Sequence, residues 1–348
     1  MKLVTYVDQA QSSRTPRAGV IVSPPGGAQA VVDLHAAFAA LEQDAGRPAS
    51  EDAITAKFGE GILGLVEQQE IALPIAREVV RRTEESAHPP PIDARPLLRP
   101  LAQVELLAPI PRPPSMRDGY AFRQHVETAR RNRGLEMIPE FDQFPVFYFT
   151  NHQAVIGPGP VSVLPRHLER LDFELEAAIV VGKKARNLTA DRADDAIFGL
   201  TIMNDLSARA LQMEEMKLSL GPAKGKDFAT AIGPWLVTLD ELEDRTRRGA
   251  HGVSFDLAMR AFVNGVQVSE GNVAQMNWTF AQILERVSYG ATIFPGDVIG
   301  SGTVGTGCFL ELNGSGITKN QWLGVGDVVA LEIERLGRLE NVVVEERT

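Results

Sequence analysis

Asp172-Phe-Glu174-Leu-Glu176-Ala-Ala-Ile-Val-Val-Gly182 is the stretch on which the reading of this chain turns. Its β-branched end predicts a strand, and side chains on a strand alternate between faces. Asp172, Glu174 and Glu176 then share one face, and Phe173, Leu175 and Ala177 the other. Three carboxylates side by side on an otherwise apolar strand repel one another, and a cation removes that penalty. All-oxygen ligands suit a hard ion: Mg²⁺, Ca²⁺ or Mn²⁺. Two plainer readings compete, a solvated face of an edge strand and a helix running from Pro165. Two further segments bring acids. In Met203-Asn-Asp205-Leu-Ser-Ala-Arg209 a β-type start turns into a helix, which puts Asp205 where a strand end meets a helix start. Asp118 is followed by Tyr120 and His125. Seven residues separate Asp118 from His125, two helical turns, so both can face one site.

Working outward, three short β runs open the chain at Lys2–Val7, Gly19–Val22 and Ala30–Leu34. A helix is predicted at about 36–44, and residues 51–84 read as two helices, with Ser50-Glu-Asp as a start signal. Nine prolines then fall between 85 and 114. Proline lacks the N–H and fixes φ, so this stretch is neither a regular helix nor a central strand. It marks a boundary, with Gln103–Leu107 as one short strand inside it. The expected division is an N-terminal α+β unit over 1–100 and a second unit over 101–348. Beyond it, β runs dominate: Phe144–Phe149, Val161–Val163, Asp172–Val181, Trp235–Thr238, Phe255–Val263, Asp297–Gly300, Phe309–Leu312 and Asp327–Ile333. Helices are expected at 121–133, 191–198, 206–216 and 275–287. The fold class is α+β and rich in strand.

Composition narrows the function classes. Thirty-five basic against 45 acidic residues give a formal charge of −10, which argues against nucleic acid or an anionic membrane as the main partner. One cysteine, Cys308, allows no intrachain disulfide and no cysteine-rich zinc cage, and points to a reducing, cytoplasmic compartment. The longest uninterrupted apolar run, Ala36–Leu41, is far shorter than a membrane span, as is Ala177–Val181, and the first residues lack the apolar core of a signal peptide. Cys308 reads as a buried structural thiol, and Arg130, Arg131 and Arg133 as a solvated helix face. Gly300-Ser-Gly302-Thr-Val-Gly305 has the spacing of a dinucleotide loop, but that motif needs a helix start next, and residues 306–312 read as another strand.

The motifs, in order, resemble those of the fumarylacetoacetate hydrolase family. They are Asp118-Gly-Tyr120-Ala-Phe-Arg-Gln-His125, Asp172-x-Glu174-x-Glu176 and Met203-Asn-Asp205-x-Ser-Ala-Arg209-x-x-Gln212, followed by Leu220-Gly-Pro-Ala-Lys-Gly-Lys226-Asp-Phe-Ala-Thr230 and Gly233-Pro-Trp235, and last Gly300-Ser-Gly-Thr303 and Leu310-Glu311-Leu312. They cover about 115–335. The resemblance implies a mixed β-sandwich roll with the site in a cleft, usually in a homodimer, and a small N-terminal domain ahead of it. It implies that Asp118, Glu174, Glu176 and Asp205 are metal ligands, with Lys226 and Thr230 beside the ion. His125 and Glu311 match a water-activating dyad. Arg209 and Gln212 match substrate-contacting positions, Tyr120 a substrate-facing phenol, and Thr303 a further substrate contact. A substrate-binding arginine expected after the histidine matches Arg133 or Arg131. The pattern departs from the animal hydrolase at Met216 in place of a tyrosine, Ala229 in place of a glycine, and Gly119 in place of an aromatic residue.

The expected substrate is a β-diketone or 2,4-diketo acid such as fumarylacetoacetate, cleaved with water to fumarate and acetoacetate in aromatic amino-acid (tyrosine) catabolism. Its two oxygens suit bidentate binding to Mg²⁺ or Ca²⁺, with Mn²⁺ also fitting. His125 acts as base on a water, Glu311 orients the imidazole, and Lys226, Arg209 and Gln212 supply donors for the oxyanion. Alternatives within the family are acylpyruvate hydrolysis, oxaloacetate decarboxylation and 2-oxo acid hydration or dehydration. Having both His125 and Glu311 favours hydrolysis. A non-catalytic metal-binding relative is the alternative outside that class.

Overall fold

A computed structural model describes residues 1–9, 14–23, 28–59, 61–85 and 97–346. The first part of the proline-rich boundary, residues 86–96, lies outside the described residues. The frame is a 12-stranded sheet. Its main path runs Leu98–Pro100, Ala30–Asp33, Arg17–Val22, Lys2–Asp8, Thr230–Thr238, Ile197–Asp205, Leu175–Val181, Val298–Gly300, Met116–Gly119 and Phe147–Phe149. A second, five-stranded sheet runs Val266–Asn272, Ala258–Val263, Val328–Ile333, Gly337–Glu345 and Gly159–Val163. The protein is thus a strand-rich α+β fold with large mixed sheets. Among the described residues, no helix is long and apolar enough to cross a membrane.

Strand parity explains why the Leu175–Val181 strand is apolar without interruption beyond its acids. Ala177, Ile179 and Val181 face one core, which they share with Met259, Ala261, Leu331, Leu339 and Val343 of the five-stranded sheet. Ala178 and Val180 face the other, packed with Phe58, Leu65 and Val66 from the helical N-terminal segment. A strand covered on both faces needs apolar residues at consecutive positions rather than alternation. Residues 1–100 therefore join the frame directly: Leu3 lies opposite Leu236, and Lys2–Asp8 pairs antiparallel with both Thr230–Thr238 and Arg17–Val22. We propose that this segment covers one face of the sheet and leaves the chemistry to the rest of the chain.

Several expected elements differ in kind. The run Phe309–Leu312 is a helix, Phe309–Gly314, not a strand. Its first amides are held by the carboxylate of Asp172, which accepts from Phe309 N at 2.7 Å and from Leu310 N at 3.0 Å. So a helix does follow the Gly300–Gly305 motif, and the absence of one is not what sets this loop apart from a dinucleotide site. An acid of the chain itself already occupies the amides an anion would need. The Asp172–Val181 run breaks at Phe173–Glu174: Leu171–Asp172 pairs with Ser207–Ala208, and Leu175–Val181 pairs with Ile197–Asp205. At the break the Asn204 side chain accepts the Glu174 N–H at 3.1 Å in place of a neighbouring backbone carbonyl. The helix expected at 191–198 is one short turn, Ala190–Ala193, and a 3₁₀ turn; the long buried strand Ile197–Asp205 follows it. Residues 51–84 form three helices, Glu51–Phe58, Leu63–Glu67 and Gln69–Glu85, and the 255–263 run is two strands, Gly252–Phe255 and Ala258–Val263.

Candidate active site

Three strand ends bring the four acids together. Asp118 ends the Met116–Gly119 strand, which runs parallel to Val298–Gly300 with Asp118 opposite Gly300. Glu174 and Glu176 flank the start of Leu175–Val181, and Asp205 ends Ile197–Asp205 opposite Thr230. One carboxylate oxygen from each of Asp118, Glu174, Glu176 and Asp205 lies within 4.8 Å of the others, and all four residues are buried. Asp118 and His125 do not share a helix: Asp118 is on its strand, and His125 is on the helix Arg123–Arg131. Asp172 is not one of the four. It accepts Arg209 Nε at 2.9 Å besides the two helix amides.

The glycines of the false dinucleotide motif serve Asp118. A Cβ on Gly300 would sit 2.4 Å from Asp118 Oδ1 and 2.8 Å from the Met203 methyl. Gly302, at φ +79°, donates its N–H to the same oxygen at 3.1 Å. Gly300→Ala should therefore lower stability by about 1–3 kcal/mol through overpacking and displace Asp118. Thermal unfolding of the purified variant checks this; an unchanged midpoint would count against the assigned packing.

Two buried cations partly offset the charge. Lys226 Nζ donates to Glu174 Oε2 at 2.6 Å and to Asp205 Oδ2 at 2.5 Å. Arg209 donates from Nη2 to Glu174 Oε1 at 2.7 Å and from Nη1 to Gln212 Oε1 at 3.0 Å. Burial opposes the charge on Glu174, but Lys226 and Arg209 outweigh it and hold that carboxyl well below the usual carboxylate range. The other three acids move the opposite way. Burial and then the like charge of Asp205 push Asp118 up to about 8. Burial, then Asp118 and Glu174, push Glu176 well up, and burial keeps Asp205 raised although Lys226 pulls it down. Glu176 Oε2 and Asp205 Oδ1 are buried and find no hydrogen-bond donor. Hard carboxylate donors, orphaned oxygens and three acids kept from ionising by burial and by neighbouring carboxylates together fit a divalent cation of the Mg²⁺ or Ca²⁺ type.

Beside this cluster His125 Nδ1 meets Glu311 Oε2 at 2.7 Å, and both side chains are buried. A carboxylate only accepts, so Nδ1 donates to it, and in the neutral imidazole Nε2 then keeps the lone pair. Asn132 Nδ2 reaches the Glu311 carbonyl at 3.3 Å and ties the two helices together. The Tyr120 ring stands edge-on to His125 at 5.7 Å between centroids. Thr303 Oγ1 reaches Glu176 Oε1 at 3.4 Å, and Thr230 Oγ1 reaches Thr150 Oγ1 at 3.5 Å. Arg133 is exposed and donates from Nε to the Ala129 carbonyl at 3.0 Å, while its charge still acts on Tyr120. Sequence reading missed Tyr148, whose hydroxyl donates to Asp205 Oδ2. The signal was faint: a single phenol between Phe147 and Phe149, placed only by the pairing of Tyr148 with Asp118 across two strands.

Comparison with known proteins fits this arrangement. The family model for the fumarylacetoacetate (FAA) hydrolase C-terminal region matches residues 115–344, which contain all four acids, His125 and Glu311. The chain belongs to the fumarylacetoacetate hydrolase family. An uncharacterized protein of Pyrococcus abyssi is 34% identical over 242 residues, 66% of this chain and 95% of the relative. Oxaloacetate tautomerase Fahd2a, mitochondrial, of Rattus norvegicus is 29% identical over 348 residues, covering 99% of this chain and 92% of the relative. The solved structure of fumarylacetoacetate hydrolase from psychrophilic Exiguobacterium antarcticum shares the fold at a TM-score of 0.63 and 25% identity, covering 99% of this chain and 100% of that one. The last two of these relatives carry the names of different reactions, so membership establishes an enzyme family and leaves the reaction to the residues of the site.

Proposed function

We propose that this protein is a divalent-metal-dependent hydrolase that cleaves a C–C bond of a β-diketone or 2,4-diketo acid. The observation that carries the reading is the His125–Glu311 pair beside the four acids. Asp118, Glu174, Glu176 and Asp205 would hold the ion, with Lys226 and Thr230 next to it. When bound, the ion supplies Lewis acidity and a template for two oxygens of a β-dicarbonyl. His125 Nε2 takes a proton from water as the water oxygen attacks the carbonyl carbon. Glu311 holds the imidazole in the required tautomer and stabilises the cation that forms. Lys226 has three N–H donors and spends two on Glu174 and Asp205. The third, with the amide of Gln212, is free for the developing oxyanion. The C–C bond then breaks, its electrons pass to the leaving carbon, and the imidazolium returns the proton to that carbon. One water is consumed, and an acid and a ketone leave. Tyr120, Arg133 and Thr303 are proposed to contact substrate, and Arg209 to hold Gln212 and Glu174 in place.

The length of the match to the rat oxaloacetate tautomerase supports a second reading, in which the same base moves a proton between the keto and enol forms of oxaloacetate. A turnover screen of fumarylacetoacetate, acylpyruvates and oxaloacetate with added Mg²⁺, Ca²⁺ or Mn²⁺ separates the two. Diketone cleavage is the expected result; oxaloacetate tautomerisation or decarboxylation with no diketone cleavage would reject the hydrolase reading. A cytoplasmic homodimer is also expected, with light scattering as the measure of its size.

The shifted acids predict a pH dependence. Asp118, pushed up to about 8, holds a proton in the metal-free fold that the unfolded chain releases near its ordinary value. The folded state then binds more protons, so metal-free stability falls as pH climbs from about 4 toward 8. A cation competes with those protons, so its affinity rises over the same window and levels off above it. Calorimetric Mg²⁺ titration and chelated thermal melts at pH 6 and pH 8 test both signs; an affinity independent of pH contradicts them.

A further inference from the structure

A second cluster of different chemistry adjoins the four acids. One donor atom from each of His125, Cys308 and Glu311 lies within 4.8 Å of the other two, and all three residues are buried. They come from two packed helices: His125 from Arg123–Arg131, Glu311 from the first turn of Phe309–Gly314, and Cys308 directly before that turn. Cys308 is fully buried in the core beside Phe309. Burial pushes its thiol well up, and the charges of Asp172, Arg209 and Glu174 also reach it, so a metal has to displace a firmly held proton. A thiolate, an imidazole and a carboxylate are three ligands that suit Zn²⁺, whose bonds of about 2.0–2.3 Å bring donors closer than 4.8 Å to one another. The all-oxygen set beside them suits a harder ion. The two clusters therefore differ in the metal they select.

We propose that His125, Cys308 and Glu311 form a second metal site that takes Zn²⁺, and that its occupation stops turnover. Binding releases the thiol proton to solvent and forms bonds from the metal to sulfur, imidazole nitrogen and carboxylate oxygen. The imidazole is then no longer available as a base. The inhibitory consequence rests on the proposed role of His125; the existence of the site does not.

Because Cys308 is the chain's one cysteine, thiolate ligation has an unambiguous reporter. The full-length protein, saturated with Mg²⁺ and free of substrate, is titrated with Co²⁺. A near-ultraviolet thiolate-to-cobalt charge-transfer band should grow to one equivalent per chain and vanish when Zn²⁺ is added. Cys308→Ser should lack the band, keep its Mg²⁺-supported turnover, and need at least about 10- to 100-fold more Zn²⁺ for half-inhibition, a loss that even outer-shell changes produce. No band in the wild type overturns the proposal, whether or not the variant folds. Equal Zn²⁺ inhibition in wild type and a folded Cys308→Ser also overturns it, because zinc then acts at the four acids. A band in a wild type that cleaves no diketone would leave the site standing and remove the hydrolase reading alone.

Discussion

Replacing His125 with alanine should lower diketo-acid hydrolysis by about 10²–10⁴-fold, the usual worth of a positioned base, and leave divalent-metal affinity unchanged. The ring bonds to Glu311 and to none of the four acids, so its removal leaves the carboxylate cluster with its hydrogen bonds to Lys226, Arg209, Thr303 and Gly302. Glu311→Gln should slow hydrolysis as well. The amide can still accept from Nδ1, but it offers no counter-charge to the imidazolium formed during attack. Steady-state rates, with Mg²⁺ affinity measured alongside by calorimetry, read the two effects separately. Metal lost together with activity in His125→Ala would mean that the ring supports the cluster rather than the reaction.

Glu174→Ala should abolish metal binding and turnover and cost about 3–5 kcal/mol of stability, the range for removing one partner of a buried ion pair. Both oxygens of Glu174 are engaged by cations, Oε1 by Arg209 and Oε2 by Lys226. Its removal leaves Arg209 to Asp172 and Gln212, and Lys226 to Asp205 Oδ2, the oxygen that also accepts from Tyr148. Lys226 is then close to neutralising Asp205, an acid the metal needs. Glu174→Gln keeps the volume and separates lost charge from lost packing. Full activity in Glu174→Ala, or after exhaustive chelation, would sink the metal-dependent mechanism.

Much of the frame was legible because it is written in local patterns. The runs expected as strands at Asp172–Val181, Asp297–Gly300 and Asp327–Ile333 contain the strands Leu175–Val181, Val298–Gly300 and Val328–Ile333, and the helix expected at 121–133 is Arg123–Arg131. Where local signals conflict with partners distant in sequence, the reading failed. Phe309–Leu312 has strand-like residues, yet Asp172, more than a hundred residues away, supplies the acceptor that starts a helix there. The 191–198 segment looks helical, but Ile197 pairs with Val181 at the start of a strand of the large sheet, and Phe198 packs into the core shared with the N-terminal helices. Glycines 300 and 302 resembled a phosphate loop because both uses need a backbone without Cβ; here the group approached is the carboxylate of Asp118.

Residue identity by itself determined the acids, the candidate base and the hard-ion chemistry, since carboxylate and imidazole carry those properties wherever they sit. It also determined the strand-rich class, since β-branched runs bounded by glycine have few other uses. Only the tertiary structure decided which acids act together. Asp172 sits two residues from Glu174 and turns away to a helix end and Arg209, while Asp118, 56 positions earlier by number, joins the cluster through parallel pairing with Val298–Gly300. It also decided that Tyr148 bonds to Asp205 and that Cys308 stands with His125 and Glu311. Side-chain chemistry is a property of one residue, but convergence in space depends on strand register and helix packing, which are set by burial summed over the whole chain.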